Sequence, residues 1–237
     1  MNKTEGYEQF YNLHKGEVGL IVANGPGLEN IPIEFLKKYP SLGCNRITLM
    51  APEFVPTYYS CIGFNQVDTP EKRATFDAML GHPDCKAAFI NRLFAHHFAY
   101  DNIFTIMGGR YYGIENTRFF SLDPLNITGL GFTMTFVLLQ IAFYMGFSKV
   151  LIVGLDHHYD EGPKKHFYTD DEVADFEVAP GPLYRNDTDL WQQGADLVFQ
   201  VARKVYEDAG REIINLSIPS ACEIFRKQEL SRWHNPQ

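Results

Sequence analysis

Positive charge is scarce in this chain. Its 237 residues carry 21 Lys and Arg against 29 Asp and Glu, a formal net charge of -8. Non-specific binding to nucleic acid or to an anionic membrane needs a basic face that displaces counterions, so both are excluded, although a local pocket for a phosphate is not. Cysteine is scarce as well. The four, at positions 44, 61, 85 and 222, form no Cys-x-x-Cys pair and no close His-x-Cys grouping, which excludes a zinc ribbon and a disulfide framework and makes a reducing cytoplasm the economical expectation. The start, Met1 to Glu8, is polar and lacks the apolar core of a secretory signal. No internal repeat is visible. One uncharged stretch, 124 to 148, approaches the ~18 apolar residues of a spanning helix. It is interrupted by Thr133, Thr135 and Gln140 and runs through Gly146 into a strand-like segment, so a core helix is expected and no transmembrane segment.

What the chain does have is apolar and aromatic bulk. With 45% apolar and 14% aromatic residues it can bury a sizeable core, and its length suits one large α/β domain over 1–237. Val18 to Ala23 is a short apolar run between Lys15-Gly16 and Asn24-Gly25-Pro26-Gly27, the pattern of a strand buried on both faces. Leu28 to Tyr39 follows with apolar residues at helical spacing, stopped by Pro40. Further strands are expected over 41–49, 58–63, 87–90, 102–107, 150–155 and 212–217, with helices over 71–80, 131–145 and 187–209, the last capped by Asp187 or Asp189 and ended by Gly210. This alternation predicts a Rossmann-like, doubly wound α/β fold with a mainly parallel sheet. Residues 157–186 are polar, contain Pro163, Pro180, Gly181 and Pro182, and show no periodicity, so they read as a lid-like insertion.

The turn Asn24-Gly25-Pro26-Gly27 joins a strand to a helical segment, a place where backbone can approach a phosphate closely. It is not a complete G-x-G-x-x-G, because Asn30 stands at the third glycine, and a tight turn needing glycine is the plain alternative. A dinucleotide enzyme would place an acid about 20 residues on to accept the ribose hydroxyls. Cys44-Asn45-Arg46 occupies that place: Asn45 suits a base or ribose and Arg46 a phosphate, so a nucleotide is favoured and NAD is not.

The second candidate cluster is the end of the sixth strand, Gly154-Leu155-Asp156-His157-His158-Tyr159-Asp160, which should face the same crevice as Asn24. Asp156 could hold a divalent metal, a ribose or a neighbouring backbone amide, or cap the loop after it. His157, His158 and His166 have spacings of one and eight, which match no standard zinc pattern. His96 and His97 receive no role.

Together, Asn24-Gly25-Pro26-Gly27-Leu28, Gly43-Cys44-Asn45, the stretch 139–147 and Val153-Gly154-Leu155-Asp156-His157 resemble the MptE-like, 6-hydroxymethylpterin diphosphokinase-related family, over roughly residues 15 to 227. That family is associated with surface-polysaccharide and flagellin glycosylation, and its fold is similar to that of bacterial sialyltransferases that use CMP-sialic acid. Those enzymes carry Asn-Gly-Pro-Ser after the first strand and an Asn after the second, so the resemblance implies nucleotide contacts at Asn24 and Asn45. Gly27 departs from the serine, and the stretch 184–189, before the last helix, lacks the sialyltransferases' histidine base.

The leading expectation is a nucleotide-sugar-dependent glycosyltransferase with its donor over Asn24, Gly25, Pro26, Gly27, Asn45, Arg46 and Asp156. Transfer to a hydroxyl needs a proton acceptor, for which His158 and His166 are the candidates, then Asp187 or Asp189. The family name implies an alternative, diphosphoryl transfer from ATP to a pterin-like alcohol, which would need Mg²⁺ on Asp156 and Asp68; a third reading is a non-catalytic nucleotide-binding or assembly protein. No cofactor is otherwise called for. The partners are a nucleotide or nucleotide-sugar donor and a small-molecule or glycan acceptor, with self-association left open.

Overall fold

A computed structural model describes residues 6–63, 69–107, 119–157, 166–168 and 188–234. Eight strands form one sheet: β1 (Val18–Val22), β2 (Ser41–Cys44), β3 (Tyr58–Cys61), β4 (Ala87–Asn91), β5 (Ile103–Ile106), β6 (Lys149–Val153), β7 (Glu212–Asn215) and β8 (Arg226–Lys227). Their order is β5-β4-β3-β2-β1-β6-β7-β8, and every neighbouring pair is parallel. The fold is the expected Rossmann-like α/β arrangement. From β1 the chain winds outward to β5, then returns to place β6 on the other side of β1. The carboxyl ends of β1 and β6 therefore flank the crevice where open α/β sheets bind ligands.

Side chains alternate across each strand, and both faces are covered, which is why the strands read as continuous apolar runs. One core contains Ile21, Leu42, Phe89 and Ile152, and the other Leu20, Val22, Tyr59 and Leu151. Helix α1 (Ile33–Leu36) and helix α2 (Pro70–Leu80) give Phe35, Leu36, Phe76 and Met79 to the second core. Helix α3 (Met134–Tyr144) and helix α4 (Thr188–Asp208) cover the first. A short helix α5 (Ser231–His234) follows β8, and the sequence pattern predicts neither element.

Helix α3 accounts for the long uncharged stretch. Its eleven residues span only ~16 Å against the ~30 Å of a bilayer core. Gln140, fully buried within it, accepts from the Ser121 and Gly129 N–H groups at 2.8 and 3.0 Å and donates to the Gly129 and Phe136 carbonyls at 2.7 and 3.0 Å. Every polar site of the amide is used, so the glutamine pins the approach loop onto the helix. Among the described residues, no helix is long and apolar enough to cross a membrane.

Two expectations need correction. The single helix over 28–39 is instead a 3-10 segment, Pro26–Asn30, and α1, separated at Pro32. Proline holds Ile31 in extended backbone, φ -92° and ψ 121°, which breaks the helix despite its apolar spacing. The strand over 41–49 ends at Cys44, because Asn45 turns into the left-handed region at φ 51° and Asn45–Met50 forms a 3-10 helix. The 157–186 insertion lies outside the described residues, save 157 and 166–168.

Candidate functional site

At the crevice lies a cleft of about 320 Å³, the low end of the range for small-ligand sites. The end of β1 contributes Asn24 and Gly25, the end of β2 Cys44 and Asn45, and the end of β6 Gly154, Asp156 and His157. Thr133 to Thr135, at the start of α3, and His166 also line it.

Strands β1 and β6 stay paired to their ends, with the Gly25 N–H donating to the Gly154 carbonyl at 2.9 Å. Asp156 then folds across the glycine turn, its Oδ2 accepting from the Gly27 N–H at 2.9 Å. Of the roles open to Asp156 in the sequence, that of binding a neighbouring backbone amide is the one seen. A Cβ on Gly25 would stand 2.0 Å from Asp156 Oδ2 and 2.6 Å from the Gly154 oxygen, and one on Gly27 would stand 2.4 Å from Asp156 Oδ1. The glycines are thus needed to admit this carboxylate, and the space of the serine expected at 27 by resemblance is taken by Asp156.

Asn24 bridges three elements. Its Nδ2 donates to the Cys44 carbonyl at 3.1 Å, with Cys44 Sγ at 3.4 Å, and its own carbonyl accepts from the Phe167 N–H at 3.0 Å. Because the Cys44 carbonyl fixes the amide's orientation, Oδ1 is left buried with no hydrogen-bond partner among the described residues. A buried acceptor of this kind is costly until a donor arrives. Asn45 lines the same cleft, its backbone held by the Tyr59 hydroxyl, which donates to the Asn45 carbonyl at 2.7 Å. Burial pushes the Cys44 thiol up to about 12, the Asn24 amide opposing it, so this wall is neutral.

Not every candidate converges. Pro26 begins the 3-10 segment and, like Gly27, does not line the cleft. Arg46 is only 4% exposed and lies outside the cleft. Burial raises the Tyr59 and Cys61 side chains of the second core and the Arg46 charge opposes it, so the guanidinium lies near that core. His166 is exposed, lines the cleft and stacks on Tyr168 with centroids 4.8 Å apart. His158, Asp68, Asp187 and the side chain of Asp189 lie outside the described residues. His157, given no catalytic role in the sequence, is buried and places Nε2 2.7 Å from Asp196 Oδ1 on α4. A carboxylate beside the apolar stripe Ala195, Val198, Phe199 and Ala202 was the available signal.

No lysine or arginine is among the described residues lining the cleft. Positive potential comes instead from α3, whose amino end opens on it without an acidic residue in its first turn. Thr133 caps that helix, its hydroxyl accepting from the Thr135 N–H at 3.3 Å. Of the two Mg²⁺ candidates, Asp156 accepts from the Gly27 N–H and Asp68 lies outside the described residues, and no group of three or more His, Cys, Asp or Glu that could hold a metal is found among the described residues.

Solved structures share this architecture. The α-2,3-sialyltransferase Cst-I from Campylobacter jejuni aligns over 94% of this chain and 83% of its own, with a TM-score of 0.60 and 14% identity. The sialyltransferase CST-II, in complex with a trisaccharide acceptor and CMP, aligns over 93% and 89%, with a TM-score of 0.57 and 11% identity. The fold is shared with these sialyltransferases. No family model matches the chain, and neither does any curated protein.

Proposed function

We propose that this protein is a nucleotide-sugar-dependent glycosyltransferase, sialyltransferase-like, that works in the cytoplasm on surface-glycan precursors. The observation that carries the reading is the cleft at the sheet's switch point, where Asn24, whose buried Oδ1 has no hydrogen-bond partner among the described residues, stands beside Asn45 and near the amino end of α3. Ribose hydroxyls or a base amino group are donors that a small shift of the Asn24 amide toward the cleft would engage. The phosphate lies toward α3, where fixed N–H dipoles meet the charge that develops as the glycosidic bond to phosphate breaks. The acceptor hydroxyl forms the new bond to the anomeric carbon, the nucleotide leaves with the electron pair, and a base takes the proton. His166 is the candidate base at the cleft; His158 is the other. The fold neighbours include complexes with CMP, which supports a pyrimidine nucleotide as the donor's leaving group.

The resemblance to the MptE-like family also carries diphosphoryl transfer, but the engagement of Asp156 with Gly27 weakens it. The test is release of free nucleotide from a panel of CMP-, UDP- and GDP-sugars, with a glycan acceptor, with and without Mg²⁺. Turnover of a sugar nucleotide is expected. Turnover confined to ATP with Mg²⁺ would replace the reading by the diphosphokinase one, and no turnover with tight nucleotide binding would leave a non-catalytic binder.

A further inference from the structure

His157 stands in the left-handed region at φ 58°, a conformation that costs a residue bearing a β-carbon and persists only where its surroundings impose it. The surroundings here come from α4. The imidazole is withdrawn from solvent, with Nε2 2.7 Å from Asp196 Oδ1 and the Phe199 ring 5.4 Å away between centroids. The same part of α4 supports the other wall of the cleft. A Cβ on Gly194 would stand 2.5 Å from the ring of Phe132, the residue immediately before the Thr133 cap of α3. Residues 194 to 199 thus brace both the β6 end and the α3 end of the site.

We propose that the pair of buried His157 with the half-buried Asp196 is a positioning device for the cleft: it fixes the turn at 156–157, which keeps the Asp156 carboxylate on the Gly27 N–H and the Gly25–Gly27 turn in shape. A hydrogen bond to a carboxylate is directional and strong enough to set a side-chain geometry that apolar packing would leave loose. The pair acts through Asp156, which is the adjacent residue and lines the cleft. The consequence for ligand affinity rests on the nucleotide reading above; the consequence for Gly27 does not.

Asp196→Ala removes the acceptor, whereas Asp196→Asn keeps an acceptor oxygen for Nε2–H in nearly the same volume. His157→Asn tolerates the left-handed backbone but is too short to reach Asp196, and should behave as Asp196→Ala does. Exchange of the Gly27 amide, followed by NMR, should accelerate by about 10-fold or more in Asp196→Ala and His157→Asn and return to within about 3-fold of wild type in Asp196→Asn. With CMP as the probe, affinity should fall by about 10-fold in the first two and recover in the third. Asp208→Ala, which breaks the exposed contact with Lys204 on the same helix, should alter neither quantity. An Asp196→Ala protein that melts earlier yet keeps Gly27 protection and CMP affinity overturns the proposal, since the pair would then be a packing contact alone. If the wild type binds none of CMP, UDP, GDP and ATP, the nucleotide reading fails by itself, and Gly27 exchange still decides the positioning claim.

Discussion

Asp156 shows how one carboxylate sets the chemistry of a turn. Two glycines that suggest a phosphate loop in the sequence are the two positions where a Cβ would run into its oxygens. Gly27→Ser, which restores the residue of the resembling enzymes, is therefore expected to destabilise the fold by about 1–3 kcal/mol, the usual cost of overpacking. Combining it with Asp156→Gly should recover part of that loss, because the two residues share one space and their effects cannot add. Chemical denaturation of the two single variants and the double variant checks this; strict additivity would show that the clash is relieved elsewhere. At the same scale, Asn24 and Asn45 could be singled out from their place after the first two strands. Arg46 could not be placed, since a left-handed turn at Asn45 redirects everything after it.

At the scale of elements, the sheet was legible and the helices less so. Continuous apolar runs identify strands covered on both faces, and those runs are where β1, β3, β4, β5 and β6 lie. The sequence pattern carries the second strand past its observed end because apolar Ile47 and Leu49 continue that pattern within a 3-10 helix. Pro32 divided one expected helix, and the pairing of His157 with Asp196, 39 residues apart, leaves no local trace. Helix α3 was legible as a core helix, but its task at the cleft follows only from where its amino end points. Met134, the first residue of α3 and part of the wall, gives a test with opposing signs. Met134→Glu adds an anion at a helix amino end, favourable to the helix by about 0.3–1 kcal/mol, yet repels a ligand phosphate. Thermal stability should hold while CMP affinity falls about 10-fold, with cytidine affinity much less affected. Equal losses for CMP and cytidine would place the phosphate elsewhere.

For the whole molecule, the β5 edge of the sheet is partly engaged: the Thr105 carbonyl takes the Tyr7 hydroxyl and, just beyond the strand, the Met107 carbonyl takes the Thr128 N–H at 3.0 Å. The chain's four cysteines are free and buried. Burial pushes Cys44, Cys61 and Cys85 from 9.0 to about 12, and Tyr58 from 10.0 to about 12. Once the pH passes the unfolded values, the unfolded chain loses protons that the folded chain keeps, so stability is full below about pH 9 and is lost progressively as pH rises toward 12. Melting temperatures measured from pH 8 to 11 should fall steadily, and native protein at pH 8 should react negligibly with a thiol reagent until it is unfolded.

The central claim is that the cleft between the ends of β1, β2 and β6 holds a nucleotide, and calorimetric titration of CMP into wild type and Asn24→Ala tests it most directly. The expected result is saturable one-site binding to wild type and affinity lower by about 10-fold or more in Asn24→Ala, which loses the Oδ1 acceptor. Binding of equal affinity in the two proteins, or no binding of CMP, UDP, GDP or ATP to the wild type, would contradict it.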